Sequence, residues 1–335
     1  MPKPPLGVLA ALRAGFSVVN NRLELALFPL ALDLFLWLGP RLSIKPITAS
    51  LVQTLEQLTA YSSDPQVAQQ MGAIRAFFTD LGNQYNLFSV LSTAPLGVPS
   101  LMASRMPENA PAGVPLAVWP VTNPFFHLDL YLLFSLIGLL LGAIYFNCIA
   151  QQIRAQRLDV RQLLRQVWGD WVRLAAFAVL AALALALALT PVWILGALVA
   201  MIFPQAGALV FLVSVTVVMW GVFYLGFTVP GVVLQRRGLF GALWDSLRVV
   251  QWSLPSTVGL YTVLFIISLL LAIVWGLVAP DSWVMLAALG GNALVTTALV
   301  AAAFVFYQDR YRWWSEMRAA LQAYLNRQKA AETKP

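Results

Sequence analysis

The chain has 335 residues, 60% of them hydrophobic and only 10% charged, with a mean hydropathy of +0.77. Soluble domains carry about 25% charge, so this composition excludes one and points to an all-α polytopic membrane protein. One cysteine, Cys148, and one histidine, His127, exclude an internal disulfide and a Cys/His metal site of ordinary ligand number, and no metal or cofactor is expected. The net charge of +7 reflects topology and not nucleic-acid binding.

In chain order, residues 1–22 read as a cytoplasmic amphipathic helix. Arg13 interrupts the apolar run and no small-residue cleavage site follows, so an uncleaved anchor is expected. The window 23–40, LELALFPLALDLFLWLGP, is the first of six predicted spans; the others are 128–150, 174–196, 206–229, 257–279 and 284–306. Asp33 lies in its middle, about nine residues from Glu24 and about eight from Arg41. An ionised group at mid-depth costs at least ~2.5 kcal/mol on insertion scales. Asp33 must therefore face protein or water, carry a partner or be protonated, and it is the leading candidate for an intramembrane site.

Residues 41–127 form one extracytoplasmic insertion. Its first half reads as two helices broken at Ser62-Ser63-Asp64-Pro65, with Ser63 or Asp64 as N-cap of the second. In its second half Pro95, Pro99, Pro107, Pro111, Pro115, Pro120 and Pro124 forbid long regular structure. The run 86–103 is too apolar for a solvated loop and too broken for a span. It is either an interfacial or re-entrant segment packed on the bundle or the core of a small external domain. At the mouth of the second span stand His127 and Asp129, which read either as an acid-base pair or as an interfacial anchor at a helix start.

Residues 128–306 form a five-span bundle with amphipathic cytoplasmic helices at 151–171 and 235–254. In 151–171, Val160, Leu163, Leu164, Val167, Trp168 and Trp171 share one helical face, with Arg154, Arg157, Arg161 and Arg165 on one flank. Asp159, Gln162, Gln166 and Asp170 take the other flank. The arginines are expected at anionic lipid head groups; alternatively the apolar face docks on other cytoplasmic helices. Asn147, Asn292, Thr296 and Thr297 are polar at membrane depth, and Asn292 and Thr296 stand one turn apart as candidate partners for Asp33. Cys148 reads as a small apolar filler. Residues 307–335 form a cytoplasmic helix and tail, opened by a belt of Tyr307, Arg310, Tyr311, Arg312, Trp313 and Trp314. Asp309, Arg312 and Glu316 have helical ion-pair spacing, and the tail past Lys329 is expected to be disordered.

Of the 21 Lys and Arg residues, only Arg41, Lys45, Arg75 and Arg105 fall in the long insertion. The other seventeen lie on the side of the termini, which puts both termini in the cytoplasm of a multi-pass cell-membrane protein. An internal similarity aligns GVLAALRAGFSVVNNRL (7–23) with GLFGALWDSLRVVQWSL (238–254), pairing Gly7 with Gly238, Ala11 with Ala242, Val19 with Val250 and Leu23 with Leu254. Each copy is a short amphipathic helix running into a span.

This short helix before a span, repeated over a six-span length, resembles a broad group of bacterial inner-membrane multi-pass proteins similar to the membrane domain sometimes fused to glycerophosphodiester phosphodiesterases. The phosphodiesterase barrel with its acidic and histidine ligands is absent, so the resemblance does not imply that activity. No phosphate loop, HExxH, GxSxG or paired-cysteine motif occurs. The expected function is that of a non-enzymatic scaffold, assembly or membrane-organising factor. Its partners would be the bilayer, anionic head groups, and a membrane protein or a second copy of the chain. The alternatives are a small transporter using Asp33 as a proton or cation site and a lipid-modifying enzyme.

Overall fold

Proline positions explain where most helices begin. In the computed structural model, which describes residues 4–59, 65–105, 111, 114–203 and 206–332, Pro29, Pro46, Pro65, Pro124, Pro230 and Pro255 all fall within the first three residues of a helix. Backbone N–H groups have no intrahelical acceptor there, so the missing donor costs nothing. Eleven α-helices follow among the described residues: α1 (Val8–Asn20), α2 (Leu27–Leu38), α3 (Lys45–Thr59), α4 (Pro65–Gln84), α5 (Pro124–Ala155), α6 (Val160–Ile202), α7 (Ala206–Leu225), α8 (Thr228–Gln235), α9 (Leu239–Trp252), α10 (Leu254–Gly276) and α11 (Met285–Glu332). Two three-residue strands, β1 (Arg41–Ser43) and β2 (Val118–Pro120), and two 3-10 helices, Leu23–Ala26 and Leu87–Ser92, complete the described elements.

The protein is an all-α polytopic membrane protein. Among the described residues five segments are long and apolar enough to cross a bilayer: Pro124–Ala155, Val160–Ala200, Gly207–Gln235, Leu254–Gly276 and Met285–Asn326. The predicted first span differs. Residues 23–26 form a 3-10 turn and only Leu27–Leu38 are α-helical, about 18 Å at ~1.5 Å per residue against a hydrocarbon core of ~30 Å. The helix stops at Gly39 because the residue before Pro40 is held extended, at ψ −178°. The predicted helix at 151–171 is also divided. Its first residues finish α5, Gln156 turns the chain with φ 51°, and α6 starts at Val160 with Asp159 as N-cap, accepting from Gln162 N at 3.1 Å. At the C-terminus α11 continues to Glu332, past the point where disorder was expected. The predicted caps Ser63 and Asp64 lie outside the described residues.

The chain divides into two compact units. One comprises residues 23–145 and 269–297. Within it the two ends of the insertion are tied by a parallel pairing of β1 and β2, Arg41 opposite Val118 and Ser43 opposite Pro120. Asn86 secures the join, its Oδ1 accepting from Leu42 N at 3.0 Å and Phe88 N at 3.2 Å. α3 and α4 pair antiparallel, with Gly82 against Thr48 and Arg75 bound to Glu56 at 3.0 Å. The run 86–103 folds as a 3-10 helix (Leu87–Ser92) and irregular chain whose Leu87, Val98 and Met102 are buried. Its backbone lies directly on α5. A Cβ at Gly138 would stand 2.6 Å from Leu91 O and one at Gly142 2.7 Å from Gly97 Cα, so glycine is required at both places. Arg105 donates to the carbonyls of Trp275 and Gly276, and a cation on the last turn of α10 complements the helix dipole.

The other unit comprises residues 1–22, 146–268 and 298–335. The internal similarity is reproduced here as geometry. Gly7 and Gly238 are the extended N-caps of α1 and α9, and the buried faces match as Ala11, Gly15 and Val19 against Ala242, Ser246 and Val250. Small residues on these faces allow close helix approach, which is how helices cohere where lipid removes the hydrophobic incentive. α6 and α7 pair through Gly196 against Val210 and a hydrogen bond from Trp193 Nε1 to Ser214 Oγ at 3.0 Å. With 43 residues α6 is ~65 Å long, about twice the hydrocarbon core, so it carries the arginines of its first turns well away from its apolar half.

A close approach of one helix to the backbone of another makes a prediction. A Cβ on Gly15 would lie 2.5 Å from Ala298 O and 2.6 Å from Ala302 N of α11, both backbone atoms that cannot step aside. Gly15→Ala is expected to lower the thermal midpoint in detergent, overpacking of ~1–3 kcal/mol outweighing the ~1 kcal/mol gained in helix propensity. Gly169→Ala, on α6 with nothing within 4 Å, should be neutral or stabilising.

Candidate functional site

Asp33 projects from the middle of α2 and is fully buried. Its Oδ1 accepts two hydrogen bonds, from Ser100 Oγ at 2.5 Å and from Met102 N at 2.9 Å. Ser100 Oγ in turn accepts from Ala103 N at 3.0 Å. The carboxylate thus organises a stretch of irregular chain, 100–103, that has no helix or sheet to absorb its N–H groups. A charge-assisted acceptor taking a backbone N–H and a hydroxyl is among the stronger arrangements available to such a stretch. Among the described residues nothing donates a hydrogen bond to Oδ2, which is buried.

The partners come from a region that sequence reasoning did not connect to Asp33. Asn292 and Thr296 make no hydrogen bond to it: Thr296 Oγ1 turns back to Asn292 O at 2.7 Å within α11. Thr297 Oγ1 does the same to Ala293 O at 2.7 Å and accepts from Tyr145 OH at 3.2 Å. The one signal for Ser100 was a hydroxyl set between Pro99 and Leu101 in an otherwise apolar run, and nothing marked the backbone of Met102.

A second polar cluster lies in the other unit. Asn147 Nδ2 donates to Asp170 Oδ2 at 3.1 Å and Arg173 Nη1 to Asp170 Oδ1 at 2.9 Å, with both Asn147 and Asp170 buried. Asp170, on the flank opposite the arginines in the helical pattern, is thus engaged within the protein. Gln151 brackets the turn before α6, accepting from Asp159 N at 2.9 Å. Arg154 Nη1 donates to Leu234 O at 3.1 Å in the last turn of α8, whereas Arg157, Arg161 and Arg165 are exposed. Along the same helix Val160, Leu164 and Trp168 are exposed and Val167 is buried, so the predicted apolar face is split between packing and surface. Cys148 is buried.

His127 sits edge-on to Tyr85, ring centroids 6.5 Å apart, and makes no hydrogen bond or ion pair with Asp129, which is exposed. Burial, with help from Tyr131, pushes the Tyr85 hydroxyl up to about 12, so it stays protonated as a neutral wall for the ring. α5 begins at Pro124 behind Asn123, whose Oδ1 accepts from Phe125 N at 2.8 Å, which places His127 in the first turn. In α9, burial raises the Asp245 carboxyl above the ordinary carboxylate range against the pull of Arg237 and Arg248. Among the described residues no three His, Cys, Asp or Glu side chains gather as metal ligands would.

Comparison with protein-family models, with curated proteins and with solved structures returns no match. The fold and the site define a multi-pass all-α membrane protein with a carboxylate-anchored insertion.

The Asp33 arrangement makes a second prediction. Asp33→Asn keeps one acceptor oxygen, whereas Asp33→Leu leaves the Met102 N–H and the Ser100 hydroxyl unpaired at ~1–3 kcal/mol each. Asp33→Glu forces an extra methylene into a fully buried place at a similar cost. The thermal midpoint of the purified proteins should fall from wild type to Asn to Leu. A leucine variant at least as stable as wild type would show that the carboxylate does not support the fold.

Proposed function

We propose that the chain is a non-enzymatic integral membrane protein, a scaffold, assembly or membrane-organising factor of a bacterial inner membrane with both termini in the cytoplasm. The observation that carries this reading is the state of Asp33. Its carboxylate, the group best placed for ion or proton chemistry, is engaged by Ser100 and Met102 as an acceptor for irregular backbone. Binding energy invested in holding a fold is not available for a site that must load and release a cation. The exposed Arg157, Arg161 and Arg165, beside the exposed Leu164 and Trp168, support contact of the α5–α6 turn and the first turns of α6 with anionic head groups.

A second reading, transport through Asp33, draws on one observation: among the described residues nothing donates a hydrogen bond to its Oδ2. Proteoliposomes enclosing a pH-sensitive dye separate the two. Under an imposed potential, wild type and Asp33→Asn should be equally tight to protons, and to sodium and potassium with matching indicators. A flux present in wild type and lost in Asp33→Asn would replace the scaffold reading by the transport one.

Topology is tested on exposed positions in intact cells, after Cys148→Ala. Gln53→Cys should react with an impermeant maleimide, whereas Gln162→Cys and Gln328→Cys should react only after permeabilisation. Labelling of either of the latter two in intact cells would invert the assignment.

A further inference from the structure

α9 exposes a surface that neither the helix packing nor the reading above employs. On its outer side Phe240, Trp244, Arg248 and Trp252 follow at steps of four residues, and the three rings are 77%, 55% and 71% exposed. The opposite side, with Ala242, Asp245, Ser246, Val249 and Val250, is buried. The outer stripe is therefore not a remnant of the core. It is an aromatic row with a guanidinium set into it.

That guanidinium is held. Arg248 Cζ lies 5.1 Å from the ring centroid of Trp244 and 5.6 Å from that of Trp314 on α11, and Arg318 Cζ lies 5.5 Å from Trp314. The four side chains alternate ring, cation, ring, cation. Among the described residues neither Arg248 nor Arg318 has a carboxylate within ion-pair distance. Asp245, the one acid on α9, is buried and taken by Arg237 at 3.5 Å. Indole faces fix the plane of a guanidinium and leave its N–H edge free. A fixed planar fork is the donor arrangement that suits a phosphate, because little side-chain freedom remains to be lost on binding.

The position of the row points to one source of phosphate. α9 ends at Trp252 and the candidate span α10 opens at Leu254, so the exposed rings adjoin the start of a membrane crossing. Exposed indoles at the end of an apolar helix belong to the water–membrane interface, where their apolar faces meet acyl chains and their N–H groups meet water. We propose that the outer face of α9, together with Trp314 and Arg318, is a binding site for an anionic phospholipid. Arg248 and Arg318 receive its phosphate, and Phe240, Trp244 and Trp252 lie along the upper acyl chains. The site is distinct from the arginines of α6 and independent of the scaffold reading; it requires only that α10 and α11 cross the bilayer.

The test uses the full-length protein in mild detergent, titrated with dioleoylphosphatidylglycerol or dioleoylphosphatidylcholine, bound lipid being counted by native mass spectrometry. Wild type should prefer phosphatidylglycerol. Each arginine is expected to contribute about fivefold, so Arg248→Gln should lower the affinity about fivefold and Arg248→Gln with Arg318→Gln about 25-fold. Arg75→Gln, on the external α3–α4 pair, should change nothing. Arg248→Lys keeps the charge without the planar fork and should fall between wild type and Arg248→Gln. Thermal midpoints without added lipid identify any variant whose α9 has come loose, and the wild-type preference and the lysine variant then decide. Equal retention of the two lipids by wild type, or of phosphatidylglycerol by wild type and the double variant, overturns the proposal. Full displacement of the lipid by 10 mM inorganic phosphate also overturns it, because the site would then be one for a free ion.

Discussion

The carboxylate of Asp33 holds a stretch of irregular backbone that neither helix nor sheet supports. Residues 86–103 bury Leu87, Val98 and Met102 without forming a long helix, and a buried chain segment of this kind survives only when its polar backbone atoms are satisfied within the protein. Asp33 takes the Met102 N–H and, through Ser100, orders the next turn as well. The rest of the insertion follows from this anchorage. Gly138 and Gly142 let the segment lie against α5, Arg105 fastens its far end to the last carbonyls of α10, and the β1–β2 pairing closes the neck.

The other unit is held by shape more than by charge. Its helices meet where side chains are small, Gly15 on the backbone of α11 and Gly231 against Ala242 and Tyr307, because close approach multiplies dispersion contacts where burial from lipid gains little. Polar groups act at the ends. Asp309 Oδ2 accepts from Leu6 N at 2.7 Å and Arg310 donates to Leu6 O at 3.0 Å, so the chain before α1 is pinned to α11. The first of these bonds employs Asp309 in place of the helical pair with Arg312 that its spacing allowed; spacing defines reach, and competing backbone groups decide who is reached.

Much of the fold was legible in the chain because its signals are local. Long apolar windows, the two helices in the first half of the insertion and the matched copies at 7–23 and 238–254 each depend on a few neighbouring residues, and most of the corresponding helices stand close to where they were expected. Less was legible in the candidate site. Asp33 was identifiable as anomalous from its place in an apolar run, but its donors lie 67 and 69 residues further on, and one of them is a backbone amide that every residue except proline possesses. Helical periodicity placed Asp170 on the flank opposite the arginines and could not register that Asn147 on another helix pairs with it.

What the amino-acid sequence determined alone is the class of protein, the places of five long apolar helices, and the presence of one carboxylate in need of a partner. Composition and periodicity suffice for these, since each is a property of a segment against its solvent. Only the tertiary structure decided that α2 is a short helix and not a full-length span, that 86–103 is the chain on which Asp33 acts, and that Arg248 is set between Trp244 and Trp314. Those outcomes depend on which surfaces meet. A hydrogen bond or a cation–π contact between distant residues leaves no period in either segment.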